Sequence, residues 1–483
     1  MSNRRTRTYV LMAAAALLGG CEDQQTGPLR VSAIGPPPEL VNPNLVPLAP
    51  PTAFLLEGVA QGLVRFNAAG EVEPALAQSW IVSDDGLRYT FRLRRAEWAD
   101  GRRITAEQVA ARLRAALSPA SRNPLKPVLS VVDDVVAMTD EVLELSLSAP
   151  RPHLLQLLAQ PEMSILRNGV GTGPYWVDGT ADGALRLVVP VDEEEGEALD
   201  LPPPILLRGE PAASAVARFV MGGSDLVLGG TAGGLPVARA ADLPSGALVL
   251  DPAAGLFGFA FVHRDGPFAN PEFRRALDMA VDRAALVSAI GAPGLQPQAS
   301  IAPSGLEDLP APAQPDWADQ PMPMRRAQAQ AVLDGLPEPV PVIRVAISSE
   351  PGHRQLFAHL RRDWRAIGLE VERVEPGAPA DLVLVDEIAP APLPSWYLRN
   401  FTCRASAICS AAADEALATA SRAGSLAERQ AALAQADQAI LEVNPFIALT
   451  SPVRWSLVSP RISGFRPNPF SIHGPSELIA ERR

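Results

Sequence analysis

The sequence predicts a mixed α/β to α+β fold divided among two or three lobes, and three observations carry that expectation. The chain has 483 residues, too many for one ordinary core. Residues 87–93, 131–137 and 142–147 alternate apolar with polar, the period-two pattern of half-buried antiparallel strands. From Pro341 onward, strand-like and helix-like stretches follow one another in turn.

Composition narrows the function. The hydrophobic content of 47% is that of a globular protein, and the net charge of -12 argues against a nucleic-acid binder, which would carry a basic face. Positive charge is almost entirely arginine, Lys126 being the only lysine, a bias read as genomic composition.

Residues 1–21 form a targeting segment. Arg4, Arg5 and Arg7 make a basic start, and residues 9–18 an apolar stretch too short to span a bilayer, which takes about 20 residues. The segment ends Leu18-Gly19-Gly20-Cys21, which resembles a bacterial lipobox with Cys21 as the acylated residue. An ordinary signal peptide followed by a free cysteine is the alternative. With Cys21 lipidated, Cys403 and Cys409 remain as a candidate disulfide in an exported, oxidising compartment.

Residues 22–29 read as a polar tether and 30–34 as the first strand. The prolines from Pro36 to Pro51 forbid helix and favour an extended loop between lobes. A short amphipathic helix follows from Phe54, then a turn at Ala69-Gly70 and an apolar segment ending in Trp80. Polar turns fall at Asp84-Asp85-Gly86 and Ala99-Asp100-Gly101. Thr105-x-x-Gln108 is a capping box opening a helix with Val109, Leu113, Ala116 and Leu117 on one face. Thr139-Asp140 joins two strands as a hairpin. The acidic run 192–197 reads as a solvated loop.

Asn270-Pro271 is an N-cap with proline at the first helical position, and a single helix is expected to run on to Ile290. Residues 342–348, 369–374, 382–385 and 446–450 read as strands. Residues 354–367 read as a helix with Phe357, Leu360, Trp364 and Ile367 inward, stopped by Gly368. Ser425-x-x-Glu428 caps a helix reaching Val443.

Several of these stretches carry a resemblance. GLVRF at 62–66, EPALAQSW at 73–80, SDDGLRYTFRLR at 83–94, WADG at 98–101 and ITAEQV at 104–109 resemble the signature of bacterial extracellular solute-binding proteins of family 5, the peptide-binding lipoproteins of ABC importers. PFANPEFRRAL at 267–277 and AVDRAAL at 280–286 match a second motif of that family. GTGPY at 171–175, GGSDL at 222–226 and ISGF at 462–465 resemble its markers of return to the first lobe.

The resemblance implies a periplasmic-binding-protein type II-like fold, two lobes around a ligand cleft with an additional third domain. Lobe I would take 30–45, 170–262 and 462–483; the extra domain II 46–169; and lobe III 263–461. It implies a periplasmic, membrane-anchored monomer that captures a solute, a short peptide first among the candidates, and passes it to ABC permease subunits. A metal chelate, opine or oligosaccharide receptor is the runner-up, followed by a sensing or scaffold lipoprotein with a degenerate cleft.

Catalytic motifs fail on inspection. Lys126 follows Leu125, which excludes a P-loop; there is no His-Glu-x-x-His and no Gly-x-Ser-x-Gly; and Asn123 spoils a Ser-x-x-Lys arrangement. His353 and His359 lie six apart, a poor spacing for a shared metal. No cofactor, metal or catalytic residue is expected.

Peptide-binding relatives hold the peptide's amino terminus with an aspartate in a Trp-x-x-Asp-like loop. The matching stretch here, ADLVLVDEIAP at 380–390, lacks the tryptophan. Asp386 or Glu387 could take the ammonium or simply cap the following loop. Trp396, Tyr397 and Arg399 follow; an aromatic pair beside a guanidinium suits a carboxylate or aromatic ligand, or else ordinary packing. His263 stands where relatives often carry asparagine.

Overall fold

A computed structural model describes residues 27–98, 101–190, 201–337 and 339–479. The expected signal segment with Cys21, most of the tether, part of the turn at Ala99-Asp100-Gly101 and the acidic run 192–197 lie outside the described residues.

The first large sheet has seven strands, in the order Leu248–Asp251, Arg454–Val458, Leu226–Thr231, Leu29–Ile34, Ile205–Glu210, Ala184–Val188 and Trp176–Ala181. Leu29–Ile34 runs parallel to both its neighbours, and its buried Val31 and Ala33 pack with Leu207, Leu226 and Leu228. Asp225 secures this sheet: its Oδ2 accepts the Arg30 backbone N–H at 2.8 Å and Arg461 Nη1 at 3.0 Å, tying the first strand to the C-terminal segment.

The second sheet has five strands, ordered Val371–Val374, Ile343–Ala346, Leu382–Ile388, Gly255–Phe261 and Phe446–Thr450. Phe257, Phe259 and Phe261 sit in the largest core together with Trp364 and Trp317. Trp364 Nε1 donates to the Leu277 carbonyl at 2.9 Å, which locks the helix Pro351–Arg365 against the helix Pro271–Met279.

Two strands change lobe relative to the expected division. By the expected division Gly255–Phe261 falls in lobe I, yet it pairs in the five-stranded sheet, and Arg454–Val458 falls in lobe III, yet it pairs in the seven-stranded one. The reason is continuity: Asp251 pairs with Arg454 in one sheet and Phe257 with Thr450 in the other. Two antiparallel segments therefore run side by side from sheet to sheet, crossing at 252–254 and 451–453.

The third unit is a four-stranded antiparallel meander, Ala77–Val82, Arg88–Leu93, Val142–Leu147 and Val132–Ala137. The helix Ala106–Leu117 covers one face with Val109, Leu113 and Ala116, and both halves of its Thr105/Gln108 capping box are formed. Trp98 Nε1 also donates to Gln108 Oε1 at 2.8 Å, so one glutamine serves cap and core.

The helix Pro50–Val59 departs from the amphipathic reading. It starts at the prolines themselves and buries most of its residues, because Phe54, Leu55 and Val59 face the seven-stranded sheet. The returning segment crosses the end of this helix so closely that a Cβ on Gly173 would stand 2.2 Å from the Gly58 carbonyl oxygen. The expected helix to Ile290 is two helices, Pro271–Met279 and Arg283–Ile290. Asp282 restarts it by accepting the Ala285 N–H while giving its own N–H to Asp363. Ala284 is exposed as a result, and Leu286 takes the inward position. The helix Leu426–Val443 forms from its capping box and ends at Asn444, in the left-handed conformation with φ 46°.

Candidate functional site

A cavity of about 430 Å³ opens between the seven-stranded and five-stranded sheets, with residues 124–125 and 160–162 closing a third side, within the range of small-ligand pockets. Glu57 and Phe54 reach it from the helix Pro50–Val59, Gln160 and Glu162 from the short helical turn Pro161–Met163 and its flank, and Asp386, Glu387 and Trp396 from the five-stranded side. Arg454 and His473 complete its charged lining.

Asp386 and Glu387 end the strand Leu382–Ile388, pairing with Phe257 and Leu256. Their environments differ. Arg454 Nη1 lies 2.6 Å from Asp386 Oδ1, with 12% and 15% of the two side chains exposed, so Asp386 is already neutralised. The Glu387 side chain has no hydrogen bond or ion pair to another described residue. It is exposed at the mouth of the cavity; partial removal from water, with the Asp386 charge beside it, pushes its carboxyl above the ordinary range, and Arg454 offsets part of this.

Glu57 is the only charged residue in an apolar helix. Removal from bulk water raises its carboxyl from 4.5 to about 8; the neighbouring Glu162 and Glu477 add to the shift, and Arg65 opposes it. Burial raises Glu162 as well.

His473 is engaged elsewhere. Its Nε2 lies 3.1 Å from Asp251 Oδ2, which also accepts the Ser471 hydroxyl at 2.8 Å. Serine and histidine both bond to the aspartate and not to each other, so this is a strap holding the C-terminal segment at the crossover, without a serine activated by histidine. Among the described residues, no group of three or more His, Cys, Asp or Glu is placed to hold a metal ion, and no helix is long and apolar enough to cross a membrane.

Of the residues singled out from sequence, Asp386, Glu387 and Trp396 line the cavity, and Tyr397 and Arg399 do not. Trp396, Tyr397 and Arg399 all sit on the helix Pro394–Arg399. Successive helical residues turn by about 100°, which sends Tyr397 into the core of Leu256, Phe401 and Phe446, fully buried with its hydroxyl unpartnered. Burial raises that phenol's pKa. Arg399 is also largely enclosed, its Nε without a hydrogen bond and its charge close enough to repel that of Arg151. His263 bonds Asp381 at 2.8 Å, beyond the Phe261 end of the sheet and away from the cavity. Cys403 and Cys409 are joined by a disulfide, their Cα atoms 4.9 Å apart.

Glu57, Glu162, Arg454 and His473 escaped the sequence reading. Glu57 left one signal, a lone carboxylate inside FLLEGV at 54–59. The others reach the cavity through contacts distant in the chain and leave none.

Comparison with known proteins agrees with this geometry. The chain is 26% identical over 428 residues to heme-binding protein A of Haemophilus influenzae, covering 76% of each chain. It is 23% identical over 346 residues to the periplasmic oligopeptide-binding protein OppA of the same species, covering 63% of each. The crystal structure of that OppA with the peptide RPPGFSPFR superposes with a TM-score of 0.81 at 18% identity, covering 94% of this chain and 99% of the other. The murein tripeptide binding protein MppA of Escherichia coli gives 0.79 at 19%, covering 94% and 97%. These neighbours establish the type II periplasmic-binding-protein fold. Residues 71–381 match the profile described as bacterial extracellular solute-binding proteins, family 5 middle, a family of binding proteins and not of enzymes. The chain belongs to the bacterial extracellular solute-binding proteins of family 5.

Proposed function

We propose that the protein is the receptor of an ABC importer, that it captures a short peptide in the interlobe cavity, and that Glu387 holds the peptide's ammonium group. The observation that carries this reading is the division of labour between adjacent carboxylates: Arg454 occupies Asp386 and leaves Glu387 free at the cavity wall. A ligand bridging Glu387 and the opposite wall favours the closed arrangement of the lobes through its differential affinity. Micromolar binding corresponds to about -8 kcal/mol, within reach of a few enclosed polar contacts. The names of OppA and MppA support a peptide; those of heme-binding protein A and the nickel-binding periplasmic protein of Escherichia coli show that relatives take other solutes. The relatives' periplasmic location and the lipobox-like Leu18-Gly19-Gly20-Cys21 support a receptor held by a lipid anchor on the periplasmic side, beside its permease.

The test is to purify a soluble form beginning at Glu22 under native conditions, denature it and identify released molecules by mass spectrometry. Short peptides are expected. Another solute would retain the receptor and overturn the peptide. No released molecule, together with no thermal shift across peptides and chelates, would overturn capture itself.

A further inference from the structure

Three separate parts of the fold each deliver one unmatched carboxylate to the same cavity. Glu57 comes from the helix on the seven-stranded sheet, Glu162 from the turn Pro161–Met163, and Glu387 from the five-stranded sheet. None of the three has a hydrogen bond or ion pair to another described residue through its side chain. The lining's two basic groups are committed, Arg454 to Asp386 and His473 to Asp251. Arg65, whose charge reaches Glu57, is paired with Glu73 at 2.5 Å and Glu477 at 3.4 Å.

The cavity marks the site; the charge count states what fits it. Carboxylates facing an enclosed space take up either protons or a cationic partner. A single ammonium on Glu387 leaves Glu57 and Glu162 still facing each other's charge across the cavity wall. Without a ligand Glu57 retains a proton at neutral pH; an organic cation seated beside it would displace that proton, and no described cluster is placed to hold a metal ion instead.

We propose that the cleft selects solutes carrying at least two ammonium or guanidinium groups, one held by Glu387 and the other by Glu57 together with Glu162. This rests on the receptor reading above and specifies its substrate class. The ligand's two charges then span different lobes, which couples charge recognition to closure. A peptide with a basic side chain and a polyamine share this chemistry.

Calorimetric titrations of the purified protein with tri-alanine, Ala-Lys-Ala and spermidine test the proposal. Ala-Lys-Ala is expected to bind at least tenfold more tightly than tri-alanine, and in the double variant Glu57→Gln/Glu162→Gln the ratio of the two affinities is expected to fall to about one. Asp265→Asn, at an acid whose side chain is 90% exposed, should leave the advantage intact and so separates local recognition from the general negative charge. Tight spermidine binding would support the same charge pattern with a polyamine as its source. Equal affinity for tri-alanine and Ala-Lys-Ala, or an advantage that survives in the double variant, would overturn the proposal and leave the receptor standing. No binding of any of the three would overturn the proposal together with the peptide reading on which it rests.

Discussion

Arg454 Nη1 sits 2.6 Å from Asp386 Oδ1, and Arg454 Nη2 donates to the Asp386 carbonyl at 3.1 Å. Arg454 begins a strand of the seven-stranded sheet and Asp386 belongs to the five-stranded one. The bridge therefore clasps the two large lobes beside the crossover segments and fixes the charge that Glu387 sees.

Removing one partner of this pair leaves an unmatched, mostly buried charge, which costs about 3 kcal/mol. Asp386→Asn is accordingly expected to lower stability by roughly that amount in urea unfolding. Glu387→Gln should change stability little and reduce ligand affinity. The reverse pattern would exchange the roles of the two acids.

Stability should fall with rising pH through Glu57. Its folded carboxyl is raised from 4.5 to about 8, so between those values the folded state holds a proton that the unfolded chain has released. The contribution is fully present below pH 4.5 and is lost as pH climbs to about 8. Melting temperatures between pH 5 and 8 should decline, and Glu57→Gln should flatten the slope. Glu162, Glu477, Arg65 and the cavity's His473 share that environment, so Glu162→Gln should shift the Glu57 titration downward without removing it.

The close crossing at residues 171–175 leaves no room for side chains. A Cβ on Gly173 meets the Gly58 carbonyl oxygen at 2.2 Å, and one on Gly171 meets the Val59 oxygen at 2.1 Å. Because backbone cannot yield as a flexible side chain would, Gly173→Ala should destabilise by about 3 kcal/mol, the upper end for overpacking. Calorimetric unfolding checks this, and an unchanged melting temperature would contradict it.

Much of the scaffold was legible because local physics decides it. The two capping boxes at Thr105 and Ser425, the hairpin between Ala137 and Val142, and the Asn444 terminator each rest on residues within a few positions of one another. What escaped was non-local. An apolar run such as Gly255–Phe261 fits either sheet by pattern alone, and its place follows from pairing with Leu382–Ile388 and Phe446–Thr450. The cleft shows the same limit. Asp386, Glu387 and Trp396 were found because they cluster in sequence, whereas Glu57 and Glu162 join them across hundreds of residues and Arg454 across 68. Tyr397 and Arg399 were adjacent in sequence to the right residue and turned from the cavity by the helix that carries them.

The Cys403–Cys409 bridge closes a short loop, which in chain-entropy terms contributes about 2 kcal/mol. Cys403→Ala should lower stability by about that much in oxidising buffer and make the protein insensitive to reductant. Denaturant curves with and without dithiothreitol provide the check.

The central claim is that Glu387 captures a ligand's ammonium while Asp386 is held by Arg454 across the two large sheets. Its most direct test is a calorimetric comparison of one tripeptide, with a free and with an acetylated amino terminus, on the unaltered protein and on Glu387→Gln. The account predicts that acetylation weakens binding at least tenfold in the unaltered protein and makes little difference in the variant. Equal binding of the two peptides by the unaltered protein, or a preference that persists in Glu387→Gln, would contradict it.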